Sequence, residues 1–127
     1  MNLYALQGQL REVMWDRAGL IRDAAGLAEA RQTVERMADE LTRVGVPGNA
    51  AFNVAWQDWL NLTNQAAVAR LIVASALERR ESRGAHYRSD FPSADSGPLY
   101  TVRVRRSGGD PHVDRAPVAV TRLAHAP

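Results

Sequence analysis

From Leu27 onward the apolar residues Leu27, Ala30, Val34, Met37, Leu41 and Val44 step by 3, 4, 3, 4 and 3 positions. That stepping holds the side chains on one narrow line of an α-helix and commits the chain to packing helix on near-antiparallel helix. The opposite face, with Glu29, Arg36, Asp39, Glu40 and Arg43, is built for water. Asp23 precedes the seam, and its carboxylate can accept from the free amides of the first turn. Gly45, Pro47 and Gly48 follow it and stop the helix.

The flanking segments repeat the pattern. Leu3, Leu6, Leu10, Val13, Met14, Ala18 and Ile21 predict a first helix over about 3–21. Phe52, Ala55, Trp59, Leu62, Ala66, Ala69, Val73 and Ala76 predict a long third helix over about 51–83. Trp56, Leu60, Ile72 and Leu77 widen its stripe, so this helix is expected to be buried on more than one side. Its alanines allow a neighbouring backbone to come close. Arg79, Arg80 and Arg83 would favour the negative end of that helix, with Gly84 closing it. The fold class is therefore all-α: an up-down-up three-helix bundle, in the manner of a spectrin repeat, with a C-terminal extended loop and a small β-hairpin.

The pattern changes after Gly84. Residues 84–98 read as an extended loop punctuated by Pro92, Gly97 and Pro98. Tyr100, Val102 and Val104 then alternate with Thr101, Arg103 and Arg105, the period of a strand. Ser107-Gly108-Gly109-Asp110-Pro111 is a turn, His112–Arg115 is the return strand, and Val118–Leu123 is expected to extend the pairing past Pro117. A lone hairpin is marginal in water, so it must lean on the bundle or on something outside it. The expected units are residues 1–92, the bundle with its loop, and 93–127, the tail.

Composition removes several classes of function. With no cysteine there is no disulfide, thiolate metal site or cysteine-held iron–sulfur cluster. No apolar run approaches the roughly 18 residues of a membrane span, and the first residues show no secretory signal; a cytoplasmic location is expected. All 16 basic residues other than histidine are arginine. Residues 79–127 carry 9 Arg against 5 acids, a basic bias that could attract nucleic acid through Arg103, Arg105 and Arg106. A solvated or interface-paired arginine surface accounts for it more simply, and no nucleic-acid partner is expected.

Catalytic signatures are missing. There is no GxGxxG, P-loop or HExxH, and His112-Val113-Asp114 offers too few ligands for a metal. The densest polar stretch is Glu81-Ser82-Arg83-Gly84-Ala85-His86-Tyr87-Arg88-Ser89-Asp90-Phe91-Pro92. Ser82, His86 and Asp90 look superficially like a hydrolase trio, but no oxyanion donor accompanies them. A charge-assisted network is the stronger expectation, with Arg80, Glu81, Arg83, His86, Arg88 and Asp90 as candidates. It would either pin the loop or meet a partner, since a guanidinium binds carboxylates and carbonyls bidentately.

The stretch from Asn64 to Pro92, with Glu-Ser-Arg-Gly-Ala-His and Asp-Phe-Pro at its core, resembles the C-terminal helical domain of succinate dehydrogenase and fumarate reductase flavoprotein subunits. Met14-Trp15-Asp16-Arg17-Ala18-Gly19-Leu20-Ile21-Arg22 is similar to the opening helix of that domain, especially in L-aspartate oxidases. The resemblance covers about residues 5–92, while residues 98–127 depart from the usual endings of succinate dehydrogenase and L-aspartate oxidase. It implies a parent polypeptide with an FAD-binding domain and a mobile capping domain, whose motifs lie elsewhere. On that basis this chain holds no cofactor and no catalytic residue of its own. Its implied partners are those two domains, a homo-oligomer is compatible with the pattern, and a parent in a respiratory complex would place it peripherally at the inner membrane.

Overall fold

A computed structural model describes residues 2–49 and 51–121. Three helices come first, α1 (Leu3–Ala18), α2 (Ala24–Arg43) and α3 (Val54–Glu78), followed by the strands β1 (Tyr100–Ser107) and β2 (Asp110–Pro117). Each helix begins at a short polar side chain. Asn2 Oδ1 accepts from Tyr4 N at 3.0 Å, Asp23 Oδ1 from Gly26 N at 2.7 Å, and Asn53 Oδ1 from Trp56 N at 3.1 Å.

The seam on α2 is the centre of the core. Leu27, Ala30, Val34, Met37 and Leu41 are all buried, whereas Val44 falls one residue past the helix as its C-cap. Two apolar clusters lie along the bundle. Leu6, Leu10, Val34, Met37, Leu41, Leu62 and Ala66 fill one end, where Trp59 Nε1 also donates to Leu41 O at 3.0 Å. Ala18, Leu27, Ala30, Val73 and Ala76 fill the other. At this second end α1 finishes, α2 begins and α3 finishes, so it is the end that the loop after α3 can cover.

Three expectations about the helices need correction. The first helix stops at Ala18 and not near residue 21, because the chain turns at Gly19; a Cβ there would collide with the Trp15 carbonyl oxygen. Ile21 is consequently exposed. The third helix begins at Val54 and ends at Glu78, inside the expected 51–83 at both ends. Phe52 lies before it with φ of 55° and fully exposed, in backbone space that favours glycine. Finally, α3 is buried on one side only: Leu60, Val68, Leu71 and Ile72 are exposed.

The hairpin pairs antiparallel from Tyr100↔Pro117 to Ser107↔Asp110. Gly108 and Gly109 both take positive φ, which a two-residue hairpin turn requires. Beyond Pro117 a single bond continues the pairing, Val118 N to Leu99 O at 3.1 Å. The extension expected through Leu123 does not form at residues 118–121, and its last residues lie outside those described. The hairpin leans on α3. Arg115 donates to the Glu78 carboxylate at 2.7 Å and to the Glu78 carbonyl at 3.1 Å, and Arg70 reaches Asp110 at 3.2 Å.

Candidate functional site: an arginine-wired loop at the bundle end

Arg79 to Asp95 form a loop closed by its own side chains. The last carbonyls of a helix lack amide partners, and here side chains from further along the sequence supply donors. Arg88 Nη1 donates to Ala76 O at 3.0 Å, and His86 Nε2 lies 3.0 Å from Arg79 O. This is why α3 ends early. Gly84, at φ of 57°, does not close the helix but makes the tight turn in which Arg83 N and His86 O pair at 2.8 Å.

Two buried charges organise the loop. Glu81 and Arg88 are each only 2% exposed, so both need paired, hydrogen-bonded partners to remain ionised. Glu81 accepts from Arg79 Nη1, from Arg83 Nε at 3.1 Å and from the Asp95 amide at 2.7 Å. Burial pushes its carboxyl upward, but the Asp95 amide and the two guanidiniums outweigh burial and hold it below the usual range. Arg88 grips Asp90 bidentately, at 2.8 Å from Nε and 2.6 Å from Nη2. The Arg88 hydrogen bond is the main reason that the Asp90 carboxyl falls to about 2. Asp90 also accepts from Ala24 N at 3.1 Å, so it serves the N-terminus of α2.

Ser82 Oγ accepts from Arg88 N at 2.9 Å and donates to Phe91 O at 2.8 Å. Arg22 joins the loop from the α1–α2 connection. Its Nε donates to the carbonyls of Ala18 and Gly19 at 3.1 and 2.8 Å, and its Nη1 lies 2.9 Å from His86 Nδ1. Because arginine only donates, His86 Nδ1 must accept, leaving the proton on Nε2 to meet Arg79 O. Burial first, and then the nearby charges of Arg22, Arg88 and Arg79, depress the His86 pKa.

Five of the six candidates, Glu81, Arg83, His86, Arg88 and Asp90, therefore meet in one network. Arg80 does not: it is exposed and lines a cleft between α2, α3 and β2, while Arg79 occupies the place expected of it. The sequence reading also left out Arg22, Ser82 and the Asp95 amide. The superficial hydrolase trio does not assemble, since both His86 ring nitrogens are engaged by Arg22 and Arg79. In the hairpin, Asp114 takes Arg103 at 2.9 Å and also binds Arg105, so these two arginines already share a carboxylate. Near neutral pH the network holds permanent cations, anionic carboxylates and a neutral imidazole with both nitrogens used. It is suited to fixing backbone positions.

The two segments that meet here, residues 14–22 and 81–92, are the ones that carried the resemblance. A family profile described as the fumarate reductase flavoprotein C-terminal region matches residues 7–127. The chain belongs to this family. The match includes the tail, so residues 98–127, which by sequence depart from the endings of two better-known branches, lie within the family's C-terminal unit.

This flavoprotein C-terminal domain is 41% identical over 92 residues to an uncharacterized FAD-dependent oxidoreductase of Methanocaldococcus jannaschii, covering 72% of this chain and 16% of the relative. It is 38% identical over 84 residues to the L-aspartate oxidase of Pseudomonas aeruginosa, covering 66% of this chain and 15% of the relative. The solved structure of Mycobacterium smegmatis Sdh1 in complex with UQ1 superposes with a TM-score of 0.73 at 35% identity, over 93% of this chain and 20% of that one. The domain thus spans 15–20% of the length of these proteins. No helix of the described residues is long and apolar enough to cross a membrane.

Proposed function

We propose that this domain is a non-catalytic buttress for the flavin-binding and capping domains of an FAD-dependent oxidoreductase acting on a dicarboxylate such as succinate, fumarate or aspartate. One observation carries the reading. The family's distinctive loop spends Glu81, His86, Arg88 and Asp90 on its own backbone and helix ends, leaving no acid, base or nucleophile poised for a substrate. The short span relative to the matched flavoproteins supports it, because the flavin and the reacting groups then belong to the remaining length. FAD is the cofactor of the assembled enzyme, and the domain follows its parent, in the cytoplasm or, for a parent in a respiratory complex, peripherally at the inner membrane.

Titration of the purified chain with FAD, followed by flavin fluorescence, tests the reading. No saturable quenching and no fumarate reduction are expected; a stoichiometric yellow complex overturns it. A second reading, a free-standing interaction module of the same lineage, is favoured by a core that the bundle fills without outside help. Recovery of a separate flavoprotein on this chain from native lysate supports that version.

A further inference from the structure

The outward face of α3 differs from that of α2 in a way that water does not explain. On α2 the exposed side carries Glu29, Arg31, Arg36 and Asp39. On α3, from Trp59 to Leu77, the single charged residue is Arg70, and its guanidinium is turned to Asp110 of the hairpin. The exposed residues Leu60, Val68, Leu71 and Ile72 fall within roughly a third of the helix circumference. Their polar neighbours on that side, Asn61, Asn64, Gln65 and Ser75, are uncharged.

The face is also continuous with hollows on both flanks. Val68 and Ile72 line a groove of about 510 Å³ whose other wall is Leu10, Arg11 and Met14 of α1. Leu71 and Ile72 line a hollow of about 370 Å³ that runs to Val102 of the hairpin and to Arg22, Arg79 and His86 of the wired loop. A helix that is apolar around its circumference is normally covered on every side, and the centres of interfaces are depleted in charge.

We infer that this α3 face, from the α1 groove to the hairpin, is where the flavin-carrying remainder of the enzyme docks, through an apolar centre edged by the amides Asn61, Asn64 and Gln65 and by the arginines Arg11, Arg22 and Arg79. The inference rests on the buttress reading above and specifies which side of the bundle that reading uses. The occupant follows from the matched flavoproteins, of which this chain covers only 16–20%, which leaves most of such a chain to be seated. The arginine-wired loop adjoins the face through His86, so fixing the loop also fixes one edge of the docking surface.

The test replaces the matching fifth of Mycobacterium smegmatis Sdh1 with this chain and measures FAD retained after gel filtration. Three versions are compared: the unaltered chain, Val68→Glu with Ile72→Glu, and a control, Ala28→Glu with Gln32→Glu, on the exposed side of α2. All four positions are exposed, so each isolated chain should keep its helical circular dichroism and melting temperature. The α3 pair is expected to lower retained flavin about tenfold or more, since a buried, unpaired carboxylate opposes docking, and the α2 pair to leave it unchanged. Equal retention in all three overturns the assignment of the face and leaves the buttress reading standing. Failure of the unaltered chimera to retain flavin, where intact Sdh1 does, overturns the buttress reading itself. Sedimentation of the isolated chain supplies the last arm. A dimer that Val68→Glu with Ile72→Glu converts to monomer assigns the face to a second copy and sinks the proposal; a monomer throughout supports it.

Discussion

Arg22 and His86 are separated by 64 positions in the chain, yet the guanidinium of one lies 2.9 Å from Nδ1 of the other. The contact joins the α1–α2 connection to the loop after α3. It is reinforced by Arg22 N to Tyr87 O at 3.2 Å and Ser89 N to Arg22 O at 2.8 Å. Four helix-end or loop carbonyls, those of Ala18, Gly19, Ala76 and Arg79, receive donors from the side chains gathered there.

Arg22→Lys should behave like a deletion. An ammonium cannot reach the Ala18 and Gly19 carbonyls and the His86 nitrogen in the fork that the guanidinium provides. A loss of about 1–3 kcal/mol is expected in urea unfolding, with Arg22→Ala no worse by more than about 1 kcal/mol. Full retention of stability by the lysine variant would show that the fork geometry is unimportant.

Asp90→Ala leaves Arg88 buried without its carboxylate, at an expected cost of about 3–5 kcal/mol. Adding Arg88→Met should recover part of that loss, because the stranded charge is removed with its partner gone. Denaturant midpoints for the two single variants and the double variant give the coupling directly. Additive losses would mean that the pair is not a unit.

Acid should weaken the fold in two stages. His86 sits below its ordinary value of 6.5, so the native state favours the neutral ring; that contribution is complete above pH 6.5 and is lost as pH falls through the depressed pKa. Asp90, lowered from 3.8 to about 2, and Glu81, lowered from 4.5, contribute fully above those ordinary values and lose their contribution as pH falls through their depressed values. Melting temperatures across pH 8 to 2 should therefore show an upper limb that His86→Gln abolishes and a lower limb that it does not. A single limb unaffected by that change would contradict the assignment.

Two glycines of the first helical region should respond oppositely to alanine. Gly8 lies inside α1 with nothing within 4 Å of an added Cβ, so Gly8→Ala should stabilise by about 0.5–1 kcal/mol. Gly19→Ala drives a methyl into the Trp15 carbonyl and should destabilise by more than Gly8→Ala gains. Thermal melts of both variants check the sign.

What the sequence made legible was the α2 seam and the hairpin, which local periodicity and turn chemistry set. The α2 seam needed only side-chain spacing, and the hairpin only its alternation and the Gly108-Gly109 pair. The end of α3 was illegible because Arg79 to Arg83 suit a helix well enough; what stops them is Arg88 and His86 returning to the carbonyls behind. That early stop also exchanges Arg79 for Arg80 in the network, since the phase of the chain is set by where the helix breaks. Arg22 stood in a recognised motif, but nothing near it in sequence shows that its partner is 64 residues away. The apolar width of α3 was read correctly as composition and wrongly as burial, because the sequence does not say that part of its stripe remains uncovered within this chain.

The distance in sequence between Arg22 and His86 also orders events in time. The three helix-forming segments can begin from neighbouring residues, but the clasp cannot close until α3 has run its length back to the start of α2. Contacts of such separation carry the largest loop-closure cost and tend to form after the packing that brings their ends together. The clasp should then be absent from the folding transition state, so breaking it would leave the folding arm of the chevron in place and steepen only the rate of escape from the native state. In kinetic terms Arg22 and His86 would govern how long the domain stays folded, and have little say in how fast it gets there.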